Sequence, residues 1–185
     1  TDTGETVQMN PISVGLLGIG TVGGGTWEVL LRNQEEITRR AGRGIEIAAV
    51  ADLDTARAEK IVAGRAKVVA DARAVIADPS IDIVVELIGG YGIAKTLVLE
   101  AIAAGKHVVT ANKALLAVHG NEIFAAAQKQ RVMVAFEAAV AGGIPIIKAL
   151  REGLTANRIE WVAGIINGTT NFILSEMRAK GSDFA

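Results

Sequence analysis

Five short apolar runs, each followed by a longer stretch with apolar residues three and four apart, constrain the fold of this 185-residue chain more than any other feature. The runs are residues 12–17 (ISVGLL), 45–50 (IEIAAV), 83–87 (IVVEL), 107–110 (HVVT) and 132–136 (VMVAF), and the helical spacings fall at 26–40, 55–62, 96–104 and 121–130. Such alternation predicts parallel strands joined by right-handed helical crossovers. The runs are continuous rather than alternating, which is the pattern of strands covered on both faces. Asp78-Pro79 interrupts the chain ahead of the third run, and Gly105 ends the helix ahead of the fourth. The expected fold class is α/β, a doubly wound parallel sheet of Rossmann type.

The pattern changes after Phe136. A small-residue stretch, EAAVAGGIP, leads to a helical segment at 146–154, a further strand-like run at 159–166 (IEWVAGII), and a turn entering a helix at NGTTNFILSEM. The expected organisation is a disordered leader over 1–11, a first domain over 12–136, and the beginning of a second, α+β domain over 137–185. Charged residues of both signs are interspersed, with a formal net charge of −1, so no basic stripe for nucleic acid or polybasic anchor is present. No run approaches the roughly 18 apolar residues of a membrane span. The absence of cysteine removes disulfides and thiolate chemistry and fits a reducing compartment, so the cytoplasm is the expected location.

The first strand runs into GLLGIGTVGGG, in which Gly18-Ile19-Gly20-Thr21-Val22-Gly23 reads G-x-G-x-x-G between a strand and a helix. In that context the first glycine permits a tight turn, the second lets backbone approach a pyrophosphate, and the third lets helix and strand pack closely. The helix N-terminus adds unpaired N–H groups and a positive dipole end. The reading is a dinucleotide site, NAD or NADP. Asp52, at the end of the second strand, is either the acid that accepts the adenosine-ribose hydroxyls or a helix N-cap, a role Asp54 could also take. It stands further along than the roughly 20 residues of the common fingerprint, an excess that one long first helix accounts for. Arg57 is near enough to meet a 2′-phosphate, whereas no basic residue stands at the strand tip itself.

Four further stretches are more specific: VVELIGG (84–90), GKHVVTANKALLA (105–117), FEAAVAGGIPII (136–147) and GIINGTTNFIL (164–174). With the glycine loop, their order and spacing resemble the N-terminal part of homoserine dehydrogenases, from about Ile12 to Met177. The resemblance implies reduction of aspartate-4-semialdehyde to homoserine with NADPH or NADH, on the route to threonine, methionine and isoleucine, by an enzyme that is usually a homodimer.

It also implies roles. Gly18, Gly20, Thr21, Val22 and Gly23 would carry the pyrophosphate, and Gly89, Thr110 and Lys113 would lie near the nicotinamide. Lys113 would orient the substrate or polarise its carbonyl as the alkoxide develops; the alternative is a solvated surface lysine after a strand. Gly168, Thr169 and Thr170 match a substrate-side GTTN loop, which without the resemblance is an ordinary helix cap. Glu137, Val140, Gly142 and Ile144 match a structural site for a monovalent cation, Na+ or K+, held by one carboxylate and main-chain carbonyls; the alternative is a carboxylate capping the next helix. The lysine and aspartate that the family assigns to proton transfer lie beyond the GTTN helix, so the chain reads as a fragment.

Glu86, inside an apolar strand, needs a partner and is a candidate to line the crevice. His107 is expected to pack at a strand start, and Trp27 and Trp161 to sit in the core. The rival functions are another dehydrogenase with a similar first domain, acting on aspartate or a sugar, and a non-catalytic nucleotide-sensing module.

Overall fold

The computed structural model describes residues 9–165, 167–181 and 183. The chain divides into two compact units, one ending at Gly142 and one beginning at Gly143. Of the expected leader, residues 1–8 lie outside the described residues.

The first unit is a six-stranded, wholly parallel sheet. Its elements run β1 (Ile12–Leu17), α1 (Thr21–Arg32), α2 (Gln34–Ala41), β2 (Ile45–Ala51), α3 (Thr55–Val62), β3 (Lys67–Val69), α4 (Ala72–Ile76), β4 (Ile83–Glu86), α5 (Gly92–Ala103), β5 (His107–Thr110), α6 (Lys113–Gln130) and β6 (Val134–Ala135). The strand order is β3-β2-β1-β4-β5-β6, so the winding reverses between β1 and β4. Ligands of open α/β sheets bind at the carboxyl ends of the strands where the order reverses.

Both faces are covered, as the continuous apolar runs require. Leu17, Ala49, Ala51, Val84 and Val108 pack under α4, α5 and α6 with Val75, Leu97, Ile102, Leu115 and Ile123. Val14, Leu16, Ile47 and Val50 pack on the other face with Trp27 of α1 and Ala58 and Val62 of α3. Ile47 and Ala49 of β2 face opposite sides although two residues apart. The register of β1 against β2 slips between Val14 and Gly15, and the extra residue of that bulge reverses the alternation.

Some expectations are corrected. The long first helix is two helices broken at Asn33, whose φ of −106° and ψ of 18° leave the helical region; asparagine readily adopts such conformations. β3 and α4, too short for periodicity to register, lie between the second and third apolar runs. The fifth run contributes only Val134 and Ala135 to the sheet.

In the second unit, Pro145 opens α7 (Ile146–Lys148), which continues as a π-type turn over Ala149–Gly153, close to the expected helix. α8 (Gly168–Lys180) is capped by Asn167 and closes on Gly181 at φ 63°. The described part of the expected strand, residues 159–165, forms no strand, and Trp161 is 77% exposed rather than in a core. An extended segment is held by a ladder partner, and this unit has no strand among its described residues; Ile166 lies outside them.

Candidate functional site

The site grows from the turn after β1. Gly18 has φ 89°, and a Cβ there would lie 3.0 Å from the Leu87 carbonyl oxygen and 3.3 Å from Ile88 Cα, so the loop after β1 rests directly on the loop after β4. A Cβ at Gly23 would stand 2.1 Å from the Gly18 carbonyl oxygen, which makes glycine a condition of packing α1 onto β1. Gly20 differs. Its φ of −64° suits any residue, and the nearest atom to a Cβ there would be Arg57 Nη2 at 4.0 Å. Nothing among the described residues requires glycine at this position. Bare backbone facing open space at the start of α1, where Gly20 offers no side-chain cap to the N–H groups of Thr21, Val22 and Gly23, fits a dinucleotide pyrophosphate.

On the β2 side, Asp52 Oδ2 accepts the N–H of Ile19 at 2.8 Å and Oδ1 accepts that of Asp54 at 2.9 Å. The Arg57 guanidinium donates to the Ile19 carbonyl at 3.1 Å and lies 3.8 Å from Asp52. One residue of the glycine loop, Ile19, is thus gripped at its N–H by Asp52 and at its C=O by Arg57. The cap of α3 is Asp54, whose side chain accepts the N–H of Arg57 at 3.0 Å. Asp52 is therefore not the cap, and each of its oxygens keeps a lone pair for a further donor.

Two clefts open at the strand ends. One, of about 390 Å³, is lined by Gly18, Gly20, Asp52, Arg57, Ile88 and Ile93 among others. Arg73 also borders it but is engaged by Glu100, with Nε 3.0 Å from Oε2. The other, of about 320 Å³, is lined by Val22, Leu87, Gly89, Gly90, Asn112 and Lys113. Leu87 borders both. Volumes of this size are those of small-molecule pockets. Lys113 is the exposed first residue of α6, and its ammonium makes no ion pair among the described residues.

The sequence expectations for Glu86 and His107 are corrected. Thr110 lines neither cleft; it is fully buried, its hydroxyl donating to Glu86 Oε2 at 2.7 Å and accepting the N–H of Asn112 at 3.0 Å. Glu86 does not line the crevice either, being fully buried beneath it. His107 is exposed rather than packed, its Nδ1 accepting the N–H of Met133 at 2.9 Å, whereas Trp27 is in the core as expected.

The remaining candidate residues lie later in the chain. Glu137 opens a 3₁₀ turn (Glu137–Ala139), Val140 is extended, and Ala141 and Gly143 have φ of 46° and 84°. Val140 and Gly142 belong to the first unit; Ile144, whose carbonyl accepts the N–H of Ile146 at 2.8 Å, belongs to the second. Gly168, Thr169 and Thr170 form the first turn of α8 itself. Its cap is Asn167, which accepts the N–H of Thr170 at 2.8 Å.

A parallel sheet of order 3-2-1-4-5-6 with this glycine loop at its reversal point is a dinucleotide-binding domain of the doubly wound class. Comparison with known proteins narrows the class. The family model for the NAD-binding domain of homoserine dehydrogenase matches residues 18–137, and the homoserine dehydrogenase model matches residues 145–185. The chain is 66% identical over 178 residues to the homoserine dehydrogenase of Pseudomonas aeruginosa and 63% identical over 177 residues to that of Neisseria gonorrhoeae, covering 95% and 96% of this chain and 40% of each relative. A crystal structure of a homoserine dehydrogenase from Thiobacillus denitrificans superposes with a TM-score of 0.87 at 68% identity, covering 94% of this chain and 40% of that one. The chain belongs to the homoserine dehydrogenase family. It spans about two fifths of the length of the relatives it matches.

Proposed function

We propose that the protein carrying this chain is an NAD(P)-dependent homoserine dehydrogenase, a homodimer of the cytoplasm, and that residues 12–136 are its cofactor domain, with 137–185 beginning the substrate and dimerisation domain. The observation that carries the cofactor reading is Gly20, a glycine that packing does not demand, on the lining of the larger cleft. The bound nicotinamide dinucleotide supplies the hydride for the semialdehyde carbonyl, or accepts it from homoserine.

The residues divide the remaining work. Gly18 to Gly23 bind the pyrophosphate through backbone N–H groups, with Thr21 and Val22 in the first turn of α1. Asp52 accepts the ribose hydroxyls while holding Ile19, and the cleft at Gly89, Gly90 and Lys113 receives the nicotinamide. The Lys113 ammonium orients the substrate and stabilises charge developing on the carbonyl oxygen. Gly168, Thr169 and Thr170 offer hydroxyls and a helix start to the amino-acid portion of the substrate, a role supported by the family match to residues 145–185.

Glu137, Val140, Gly142 and Ile144 hold a monovalent cation. The donor set, one carboxylate and carbonyl oxygens in a chain bent by the left-handed Ala141 and Gly143, suits a hard cation. Its role is structural.

Arg57 supports a second reading at the adenosine end. Its half-exposed guanidinium faces the larger cleft beside Asp52, where it can meet a 2′-phosphate, so the protein takes NADP as well as NAD. Calorimetric titration of the full-length protein with each cofactor, followed by oxidation assays on homoserine, aspartate and sugars, tests the reading. Turnover of aspartate or a sugar instead of homoserine overturns it, and cofactor binding with no turnover of any of them favours a nucleotide sensor.

A further inference from the structure

Glu86 is a carboxylic acid where an apolar residue would serve β4 at lower cost. It is fully buried, its register partners are Leu17 of β1 and Thr110 of β5, and it ends the central strand at the reversal point. Its partners among the described residues are neutral donors of the following loop and of β5. Oε1 accepts the N–H of Ile88 at 2.9 Å and of Gly89 at 3.4 Å, and Oε2 accepts the Thr110 hydroxyl at 2.7 Å. A buried polar group is costly unless satisfied, and a satisfied network orders what it touches.

The segments ordered here are those that frame the smaller cleft. The turn at Ile88–Gly90 passes through two left-handed glycines, Gly89 at φ 83° and Gly90 at φ 65°, and leans on Gly18 of the glycine loop. From Thr110 the network continues to the backbone N–H of Asn112 at 3.0 Å. Asn112 caps α6 through the N–H of Leu115 at 3.0 Å, while its amide donates to the Gly90 carbonyl. One carboxyl therefore reaches both walls of the cleft, the Gly89-Gly90 turn on one side and the segment that presents Lys113 on the other.

We propose that Glu86 is a positioning residue for hydride transfer: through Ile88, Gly89 and Thr110 it sets the spacing between the nicotinamide cradle and Lys113. The proposal rests on the cofactor reading of the preceding section. Thr110 is its relay; the adenosine cleft shares only its Ile88 edge with this network and has Asp52 and Arg57 on its far side.

Glu86→Gln keeps the volume but places an NH₂ group where three donors converge, and Thr110→Val removes the relay hydroxyl. Both are made in the full-length protein, with Thr110→Ser as the conservative control. Binding is read with NADH and with ADP-ribose, which fills the adenosine cleft and stops short of the nicotinamide. Glu86→Gln and Thr110→Val are expected to weaken NADH at least fivefold more than ADP-ribose. Each lowers kcat with homoserine about tenfold or more, within the range that small misplacements cost, while homoserine KM changes less than threefold. Thr110→Ser stays within about twofold of wild type.

Equal changes for NADH and ADP-ribose overturn the proposal, as does a lowered melting temperature with unchanged kcat. If Glu86→Gln does not fold, Thr110→Val against Thr110→Ser decides; if neither Glu86→Gln nor Thr110→Val folds, the network serves stability alone and the proposal fails. A wild-type protein that binds NADH but does not turn over homoserine refutes the reaction, leaving the binding comparison to decide the role of Glu86.

Discussion

Gly20 and Gly23 stand in one loop for different reasons, and alanine separates them. Gly20→Ala adds a methyl group to open space, so the melting temperature is expected to stay within a few degrees of wild type while affinity for NAD and NADP falls at least tenfold. Gly23→Ala drives a Cβ into a backbone carbonyl and is expected to cost about 1–3 kcal/mol of stability, the usual range for overpacking. Thermal melts and calorimetric titrations on both variants check this, and parallel losses of stability would remove the ligand argument from Gly20. Asp52 and Arg57 divide the cofactors in the same way. A charged hydrogen bond contributes about 1.5–3 kcal/mol, so Asp52→Ala is expected to weaken NAD by roughly 10- to 100-fold. NADP weakens less, through the lost grip on Ile19 alone. Arg57→Ala is expected to reverse the order, weakening NADP about tenfold or more and NAD only a fewfold; equal losses for the two cofactors would take Arg57 out of the 2′-phosphate site.

At the scale of elements, what could be read from the sequence was what hydrophobic pattern alone decides. The long strands are buried on both faces and announce themselves as Val/Ile runs, whereas β3 has three residues and α4 five, too few for any period. The run at 159–165 carries a strand-like pattern without a ladder partner among the described residues of its unit, and pattern cannot supply one. Two connections between elements are testable. Gly15 lies under α4, where a Cβ would come 2.3 Å from Val75 Cγ1, so Gly15→Ala is expected to push α4 off β1 and cost about 1–3 kcal/mol by urea denaturation. In the loop before β4, the Ser80 hydroxyl and N–H hold the Asp78 carboxyl below the usual aspartate range. A carboxyl depressed in the folded state contributes stability that is present above its unfolded value and lost as pH falls through the folded one. Ser80→Ala is therefore expected to raise the Asp78 titration midpoint, followed by carboxyl NMR, and the stability difference between variant and wild type is expected to vanish at low pH.

For the molecule as a whole, the places of the glycine loop after β1, of Asp52 after β2 and of Lys113 after β5 were legible in the sequence motifs, because they follow from the order of strand ends along the chain. The motifs did not locate the burial of Thr110 and Glu86, which depends on two strands meeting in register at their last residues. The same distinction bears on the 185-residue chain studied as a separate molecule. Its first unit contains the strands, loop and clefts assigned to the cofactor, whereas the proton-transfer residues implied by the family resemblance lie beyond α8. The expected outcome is that the chain binds NAD or NADP in a calorimetric titration and oxidises no homoserine, while the full-length protein does both. Turnover by the 185 residues would show that Lys113 and the groups around it suffice to move the alkoxide proton, and would move the acid–base chemistry from the later part of the protein to the strand ends of this one.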